Sequence, residues 1–399
     1  MHRTPRFPDR RAPRAPLDHR AVAYIDLAAI QDNVRALKSL NAGAQFMTVV
    51  KADGYGHGLV QASLAALAGG ADWLGTALIS EALSLRAAGI RSPILAWLLS
   101  PSDSFDDAVA AEIDLSVESS WALTRVIGAA RSVGKSARVH LEVDSGMGRA
   151  GCDLAELQTL VERLRRAEQQ GTVRFVGVWS HLARADEQDP RPTDQQLKTY
   201  LRALETVRAA GLVPELRHPA NSAALLTKPS THLDLVRCGL ASYGVSPTSW
   251  DSVNGRIVLQ PAMTLRSQIV RLRAVGRGYP VSYGATYHTQ RDSTLALVPL
   301  GYADGVPRSG SNRARVTVRG RRAPIVGRVC MDQFVIDTTG INARVGDEVT
   351  VFGDTTTGDP CITDLAASSD TIAYEILTGI GGRVPRVYRT GADRVQDPD

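Results

Sequence analysis

A (β/α)8 barrel of the TIM type, class α/β, followed by a C-terminal all-β domain, is the fold this sequence predicts. Three observations predict it. Eight short apolar runs alternate with helical stretches between residues 46 and 237, the signature of eight βα repeats. No Gly-x-Gly-x-x-Gly opens the first βα unit, which weighs against an open doubly wound sheet. After about residue 250, helical runs become scarce and short β runs alternate with Gly and Pro turns.

The elements follow in order. Residues 21–25 read as a short strand. Asp26 is a plausible N-cap for a helix with Leu27, Ile30, Val34 and Leu37 at helical spacing. The β-branched run 46–50 reads as a buried parallel strand that ends at Lys51. Further strands are expected at 73–77, 93–98, 114–117, 137–143, 173–179, 215–218 and 233–237. Helices are expected at 81–88, 121–130, 154–169 and 194–210. In the second domain, β runs are expected at 262–272, 293–300, 315–318, 326–329, 334–337 and 348–352. One short helix, at 365–367 or 371–377, interrupts them. The expected division is a tail over 1–20, a barrel over 21–255 and a β domain over 256–399, with the boundary near 247–261.

Composition narrows the function classes. Apolar residues make up 44% of the chain and charged residues 22%, which suits a protein with a large core. No stretch approaches 18 apolar residues, so no membrane span is expected. Residues 1–20 lack the apolar run of a secretory signal, and a cytoplasmic location is expected. The net charge is +5, but residues 1–20, with six arginines and two aspartates, hold +4 of it. The body is nearly neutral, so no nucleic-acid partner is expected. The Arg/Pro-rich tail is expected to be disordered. Cys152, Cys238, Cys330 and Cys361 form no Cys-x-x-Cys pair, and no metal site is expected.

Catalytic groups of such a barrel sit at the C-terminal ends of its strands. That rule selects Lys51, the segment 144–149, His181, Asn221 and Ser222, and Arg237 with Gly239. Lys51 is the sharpest candidate. A lysine closing the run Thr48-Val-Val50 is partly desolvated, which lowers its pKa and makes the amine nucleophilic, as a Schiff-base lysine requires. The plainer alternative is an exposed loop lysine. Ser222 could equally be a helix N-cap, and Arg237 could merely pair with Asp234. His57 reads as a structural loop histidine.

Val49-Val-Lys-Ala-Asp-Gly-Tyr-Gly-His-Gly58 resembles the cofactor-lysine signature of the alanine racemases, fold-type III pyridoxal-phosphate enzymes. Further matching segments follow in the same order: Asp144-Ser-Gly-Met-Gly-Arg149, Ser180-His-Leu-Ala-Arg-Ala-Asp186, Asn221-Ser-Ala-Ala224, Arg237-Cys-Gly-Leu240, Val281-Ser-Tyr-Gly284, Gly301-Tyr-Ala-Asp-Gly305, Cys330-Met-Asp332 and Arg383-Val-Pro-Arg386. The resemblance covers about residues 21–388. It implies a homodimeric amino-acid racemase that interconverts L- and D-alanine for peptidoglycan, with pyridoxal 5'-phosphate as cofactor. Lys51 would carry the cofactor and act as one acid–base group; Tyr283, from the second subunit, would be the other. Two bases on opposite faces suffice for racemisation. His181 would contact Tyr283, and Arg237 would contact His181 and face the pyridine nitrogen. Tyr55, Ser222, Gly239 and Leu240 would hold the phosphate. Arg149 would touch the cofactor's phenolic oxygen and lie near the substrate carboxylate. Met331, Asp332 and Tyr302 would shape the substrate site, and Arg308, Arg328, Asp186 and Ile380 the entry channel.

Two positions depart from the family pattern. Glu142 stands where many members carry a carbamylated lysine, and it is expected to supply a carboxylate directly. Gly382 stands where a tyrosine often touches the phosphate, which implies a wider entrance. Both keep a broader-specificity or serine racemase open. A non-catalytic pyridoxal-phosphate or inhibitor-binding protein is a further alternative, and the β domain bearing Tyr283 speaks against it.

Overall fold

The computed structural model describes residues 19–41, 43–248 and 257–390. The expected tail over 1–18 lies outside the described residues. Two compact units are present: residues 29–260, and residues up to Ala28 together with those from Pro261 onward.

In the first unit the eight expected strands form one parallel sheet. After β1 (Ala21–Asp26), which belongs to the other unit, they are β2 (Gln45–Val49), β3 (Trp73–Thr76), β4 (Ile94–Ala96), β5 (Asp114–Val117), β6 (Ala137–Glu142), β7 (Val173–Trp179), β8 (Leu216–His218) and β9 (Leu235–Cys238). Their order is β8-β7-β6-β5-β4-β3-β2-β9, so among the described residues only the β8/β9 seam lacks a ladder. Loop hydrogen bonds bridge that seam: Asp234 N–H donates to Arg217 C=O at 3.1 Å, and Arg237 N–H to Ala220 C=O at 3.0 Å. The result is a nearly closed barrel. Helices follow the strands; Leu154–Gln169 and Arg191–Ala209 bury one stripe each, as their 3.6-residue apolar periodicity requires.

The interior is packed, not hollow. Met47, Trp73, Leu95, Val176, Leu216 and Leu235 cluster there, with Trp97 against them. Burying each such side chain contributes about 1.5–3 kcal/mol. Polar groups are also inside: His140 and His218 are fully buried. Gly177 makes room for them, because a Cβ there would lie 2.5 Å from His140 Nδ1.

The second unit is built on a six-stranded sheet, joining β1 to β10 (Met263–Gln268), β15 (Arg315–Val318), β16 (Arg321–Pro324), β18 (Glu348–Phe352) and β19 (Arg386–Arg389), in the order β16-β15-β18-β10-β1-β19. A three-stranded sheet holds β11 (Arg271–Val275), β14 (Ser293–Val298) and β17 (Phe334–Asp337); β12 (Pro280–Val281) pairs with β13 (Tyr287–His288).

Several expectations need correction. The strand at residues 21–25 is expected in the barrel domain, yet β1 lies in the other unit's sheet, antiparallel to β10 and parallel to β19. The run 262–272 is two strands in different sheets. No strand lies at 326–329; the strand nearby is β16, just before that run, paired with β15. Both candidate helices exist, as Ile362–Ser368 and Ala373–Gly379. Arg20, assigned to the tail, is held by the fold: its carbonyl accepts from Ser267 Oγ at 2.7 Å.

Candidate active site

Lys51 stands two residues past the end of β2 and is half-buried. The chain turns sharply beyond it. Ala52, Asp53, Gly54, Tyr55 and Gly56 all have φ between +53° and +78°, a turn of left-handed helix closed by Gly54 N–H to Val50 C=O at 2.8 Å and Gly56 N–H to Ala52 C=O at 3.0 Å. Each non-glycine residue there costs roughly 1–2 kcal/mol. Two side chains hold the turn. Glu81 Oε1 accepts from Ala52 N–H at 2.7 Å, and Asp53 Oδ1 accepts from Leu59 N–H at 2.8 Å. Strain kept in place this way marks functional sites. Lys51 Nζ lies 5.8 Å from the centre of the Trp97 ring. Burial, and then the Arg149 cation, hold the ammonium below its ordinary pKa, against the opposing pull of Glu81.

Arg237 is buried in β9. It donates through one terminal nitrogen to His218 C=O and, at 3.3 Å, to His218 Nδ1; through the other it donates to Ser180 C=O at 2.8 Å. Its guanidinium lies 4.6 Å over Trp179, which stacks in turn on His218. Burial pushes its pKa down to about 10, so it keeps its proton near neutrality. Asp234, the plainer partner weighed for it, pairs with Arg217 instead, at 2.6 Å. No hydrogen bond joins Arg237 to His181 among the described residues; Arg237 acts on that ring through its charge, and the ring it bonds is His218. Sequence reasoning missed His218, which precedes its motif by three residues. His181 is pushed down to about 3, first by burial and then by Arg237, Arg149 and Lys51, and is neutral.

A cradle of small groups lies at the ends of β8 and β9. Ser222 Oγ accepts from Gly239 N–H at 2.9 Å. The N-cap of the following short helix is Asn221, whose Oδ1 accepts from Ala224 N–H at 3.0 Å, so Ser222 is not the cap. A Cβ at Gly239 would lie 2.3 Å from the Tyr55 hydroxyl, so only glycine fits against that ring. Tyr55 is buried and stacks on Tyr243 at 5.0 Å. Leu240 N–H donates to no group among the described residues. A hydroxyl, a phenol and an open backbone amide at this end of a barrel suit a phosphate.

Arg149 is exposed and makes no hydrogen bond or ion pair among the described residues. Its loop is formed by Asp144, whose Oδ1 accepts from Gly146 and Met147 N–H at 2.8 Å each. Glu142 is buried, and its carboxyl makes no direct bond to Arg149. Burial and then Glu118 push its pKa to about 8, against Arg237 and Arg149. The expected carboxylate is therefore harder to ionise than a free glutamate. Asp186 is exposed.

The remaining candidates lie in the β unit. Tyr283 is 71% exposed, on the turn between β12 and β13. That turn leans on Arg328: a Cβ at Gly284 would lie 2.8 Å from its guanidinium, and Ser282 Oγ donates to Arg328 C=O at 2.7 Å. Two loops are tied together by Tyr302 N–H to Cys330 C=O and Ala303 N–H to Met331 C=O, both 3.0 Å. Tyr302 and Met331 are exposed, and Asp332 pairs with Arg383 at 2.6 Å. Arg308 is exposed, whereas Ile380 packs inside the unit and Gly382 has open space where a side chain would be.

Comparisons with known proteins bear on the family. The family model for the alanine racemase N-terminal domain matches residues 25–247, and that for the C-terminal domain matches residues 262–388. The alanine racemase of Thermobifida fusca is 53% identical over 374 residues, covering 94% of this chain and 99% of its own. The crystal structure of alanine racemase from Streptomyces lavendulae, a D-cycloserine producer, has a TM-score of 0.92 at 46% identity, covering 95% of this chain and 100% of its own. That of Clostridium difficile, at 33% identity, has a TM-score of 0.87 and covers 94% and 97%. The chain belongs to the alanine racemase family, pyridoxal-phosphate-dependent isomerases.

Proposed function

We infer that this chain interconverts L- and D-alanine in the cytoplasm, supplying D-alanine for peptidoglycan, as a homodimer whose active sites combine Lys51 of one copy with Tyr283 of the other. The observation that carries the reading is Lys51: a lysine with a depressed pKa, on a barrel end that also presents Arg237, His181 and the Ser222–Gly239–Tyr55 cradle.

The residues fit pyridoxal phosphate. Ser222, Tyr55 and the Leu240 amide would hold the phosphate, and Lys51 would carry the aldehyde carbon. When bound, the group withdraws electrons from the substrate's α-carbon and so makes its proton removable. Arg237 would donate to the ring nitrogen without surrendering its proton, which weakens that withdrawal and disfavours side reactions. Arg149, with no protein partner among the described residues, is free to meet a carboxylate or phenolate oxygen. Lys51 Nζ holds or takes a proton on one face of the substrate, and Tyr283 Oη does so on the other. His181, being neutral, can exchange hydrogen bonds with that tyrosine without adding charge. Tyr302, Met331 and Asp332 border the substrate, and Arg308, Arg328 and Asp186 the approach to it.

The test begins with the absorption spectrum of the purified protein. A band near roughly 420 nm that borohydride abolishes, with D-alanine appearing from L-alanine by chiral analysis, is expected. Lys51→Ala should lose both, and L-serine as substrate measures specificity. The shared site has its own test. Lys51→Ala and Tyr283→Phe dimers, each inactive, should regain activity when mixed and allowed to exchange subunits. No recovery after verified exchange would show that the two groups do not work across copies.

A further inference from the structure

A chain of buried polar groups runs through the barrel interior, and the cofactor reading above uses only its last member. Asp114 begins β5, His140 lies mid-way along β6, His218 ends β8 and Arg237 lies in β9. Asp114, His140 and His218 are each at most 1% exposed. Arg138 Nε donates to Asp114 Oδ1 at 2.7 Å. His140 Nε2 is 3.0 Å from Asp114 Oδ2, and His140 Nδ1 is 2.9 Å from His218 Nε2. His218 Nδ1 is 3.3 Å from the Arg237 guanidinium. Asp114 also lines a surface pocket at the opposite end of the barrel from Lys51, beside Arg86, Arg91, Glu112 and Arg138.

Donor counting gives this chain a single direction. Arginine has N–H donors and no acceptor. His218 Nδ1 must therefore be the bare, accepting nitrogen, which places the His218 proton on Nε2. That N–H donates to His140, so His140 Nδ1 is bare and its proton sits on Nε2. The last N–H donates to the Asp114 carboxylate. A proton on His140 Nδ1 would turn His218 over and set N–H against N–H at Arg237. One tautomer of each ring satisfies every contact.

We propose that Asp114, His140 and His218 are positioning residues for the racemase reaction: a one-way hydrogen-bond relay that locks the plane of Arg237. Resting on the cofactor reading above, it leaves the Arg237 Nε–H, which bonds to no described residue, to meet the cofactor ring. Trp179 completes the clamp; it lies under the guanidinium, stacks on His218 and is itself fixed by donation to Ser116 Oγ at 2.8 Å.

The experiment is 15N NMR of the histidine-labelled holoenzyme, which has eight histidines to assign, joined to steady-state kinetics. In the unaltered protein both His140 and His218 should be neutral Nε2–H tautomers. Any other state of either ring overturns the relay, whether or not the chain racemises alanine. In Asp114→Asn the amide should turn its NH2 to His140, since its oxygen must face Arg138, and reverse both tautomers. The donor clash at Arg237 should then lower kcat about tenfold or more, with KM for alanine changed less than about twofold, the pattern expected when an interaction made in the transition state is lost. Arg138→Gln removes the same ion pair but leaves the relay, and should keep both the tautomers and kcat. His218→Asn keeps an acceptor for Arg237 while cutting the path to Asp114, so adding Asp114→Asn to it should lower kcat no further. Equal losses in Asp114→Asn and Arg138→Gln, or additive losses in the double variant, would assign Asp114 a structural role alone.

Discussion

At the residue scale, burial sets the chemistry of Lys51 and Glu142 alike, lowering the pKa of one and raising that of the other. Lys51 closes an apolar β run, and desolvation there follows from the sequence alone. His140, His218 and Asp114 sit in strands that read as ordinary barrel walls, so nothing local announces that their side chains meet inside. Glu142 departs from the family pattern in the sequence itself, but its protonation depends on Glu118, one strand away, and on how completely the fold buries it. Its raised pKa has a consequence of definite sign. The folded protein keeps a proton on Glu142 up to about pH 8, whereas the unfolded chain releases it near the ordinary value of 4.5. Between these the native state binds more protons, so Glu142 makes the protein less stable as pH rises. Glu142→Gln should therefore gain stability relative to the parent between pH 5 and pH 9, by a few kcal/mol at most. Denaturant unfolding of both proteins at several pH values checks this; a pH-independent difference would show that Glu142 ionises normally. Gly239 carries a second expectation. Gly239→Ala places a methyl on the Tyr55 hydroxyl, and should weaken cofactor retention about tenfold or more, because overpacking there costs about 1–3 kcal/mol. Dialysis against cofactor-free buffer, followed by the absorption band, measures it.

At the scale of elements, the alternation of apolar runs and helical stretches placed all eight barrel strands, and β5 and β7 fell on the expected bounds. The left-handed turn after Lys51 was not legible. Gly54 and Gly56 advertise positive φ, but Ala52, Asp53 and Tyr55 adopt it only because Glu81 and Asp53 capture the backbone amides. Ala52 makes no side-chain hydrogen bond, so it carries the conformational cost with the least return. Ala52→Gly relieves about 1–2 kcal/mol of steric cost and adds about 0.5–1 kcal/mol of chain entropy to the unfolded state. The balance should raise stability by up to about 1 kcal/mol with Lys51 still in place, visible as a higher unfolding midpoint. A lower midpoint would mean that Ala52 is not held at positive φ. Asp53→Gly, by contrast, gives up the bond to Leu59 N–H and should gain less.

At the scale of the whole molecule, the sequence showed two domains but not how the chain is shared between them. Strand β1 is followed at once by a helix, which is the texture of a βα repeat, and only pairing with β10 and β19 reveals its true sheet. Those partners lie more than 200 residues away, beyond any local pattern. The N-terminal end of β1 is fastened by charge as well. Arg20 grips the fully buried Asp304 with both terminal nitrogens, at 2.5 and 3.1 Å, and also donates to Pro299 C=O at 2.7 Å. Asp304 in turn accepts from Gly301 N–H at 3.0 Å and lies 3.4 Å from Arg383, which holds Asp332. A buried carboxylate thus joins the chain's first strand to the loops bearing Tyr302 and Asp332. Arg20→Ala removes its main counter-charge and should cost about 2 kcal/mol, the penalty of a charged group left short of a partner. Asp304→Asn removes the charge itself, so the two losses should overlap: the double variant should fall short of the sum of the single costs by more than about 0.5 kcal/mol. Because the same carboxylate steadies the Tyr302 turn, Arg20→Ala should also raise KM for alanine more than it lowers kcat. Additive stability losses with an unchanged KM would reduce Arg20 to a surface residue, and the first strand to an edge that the substrate loops do not need.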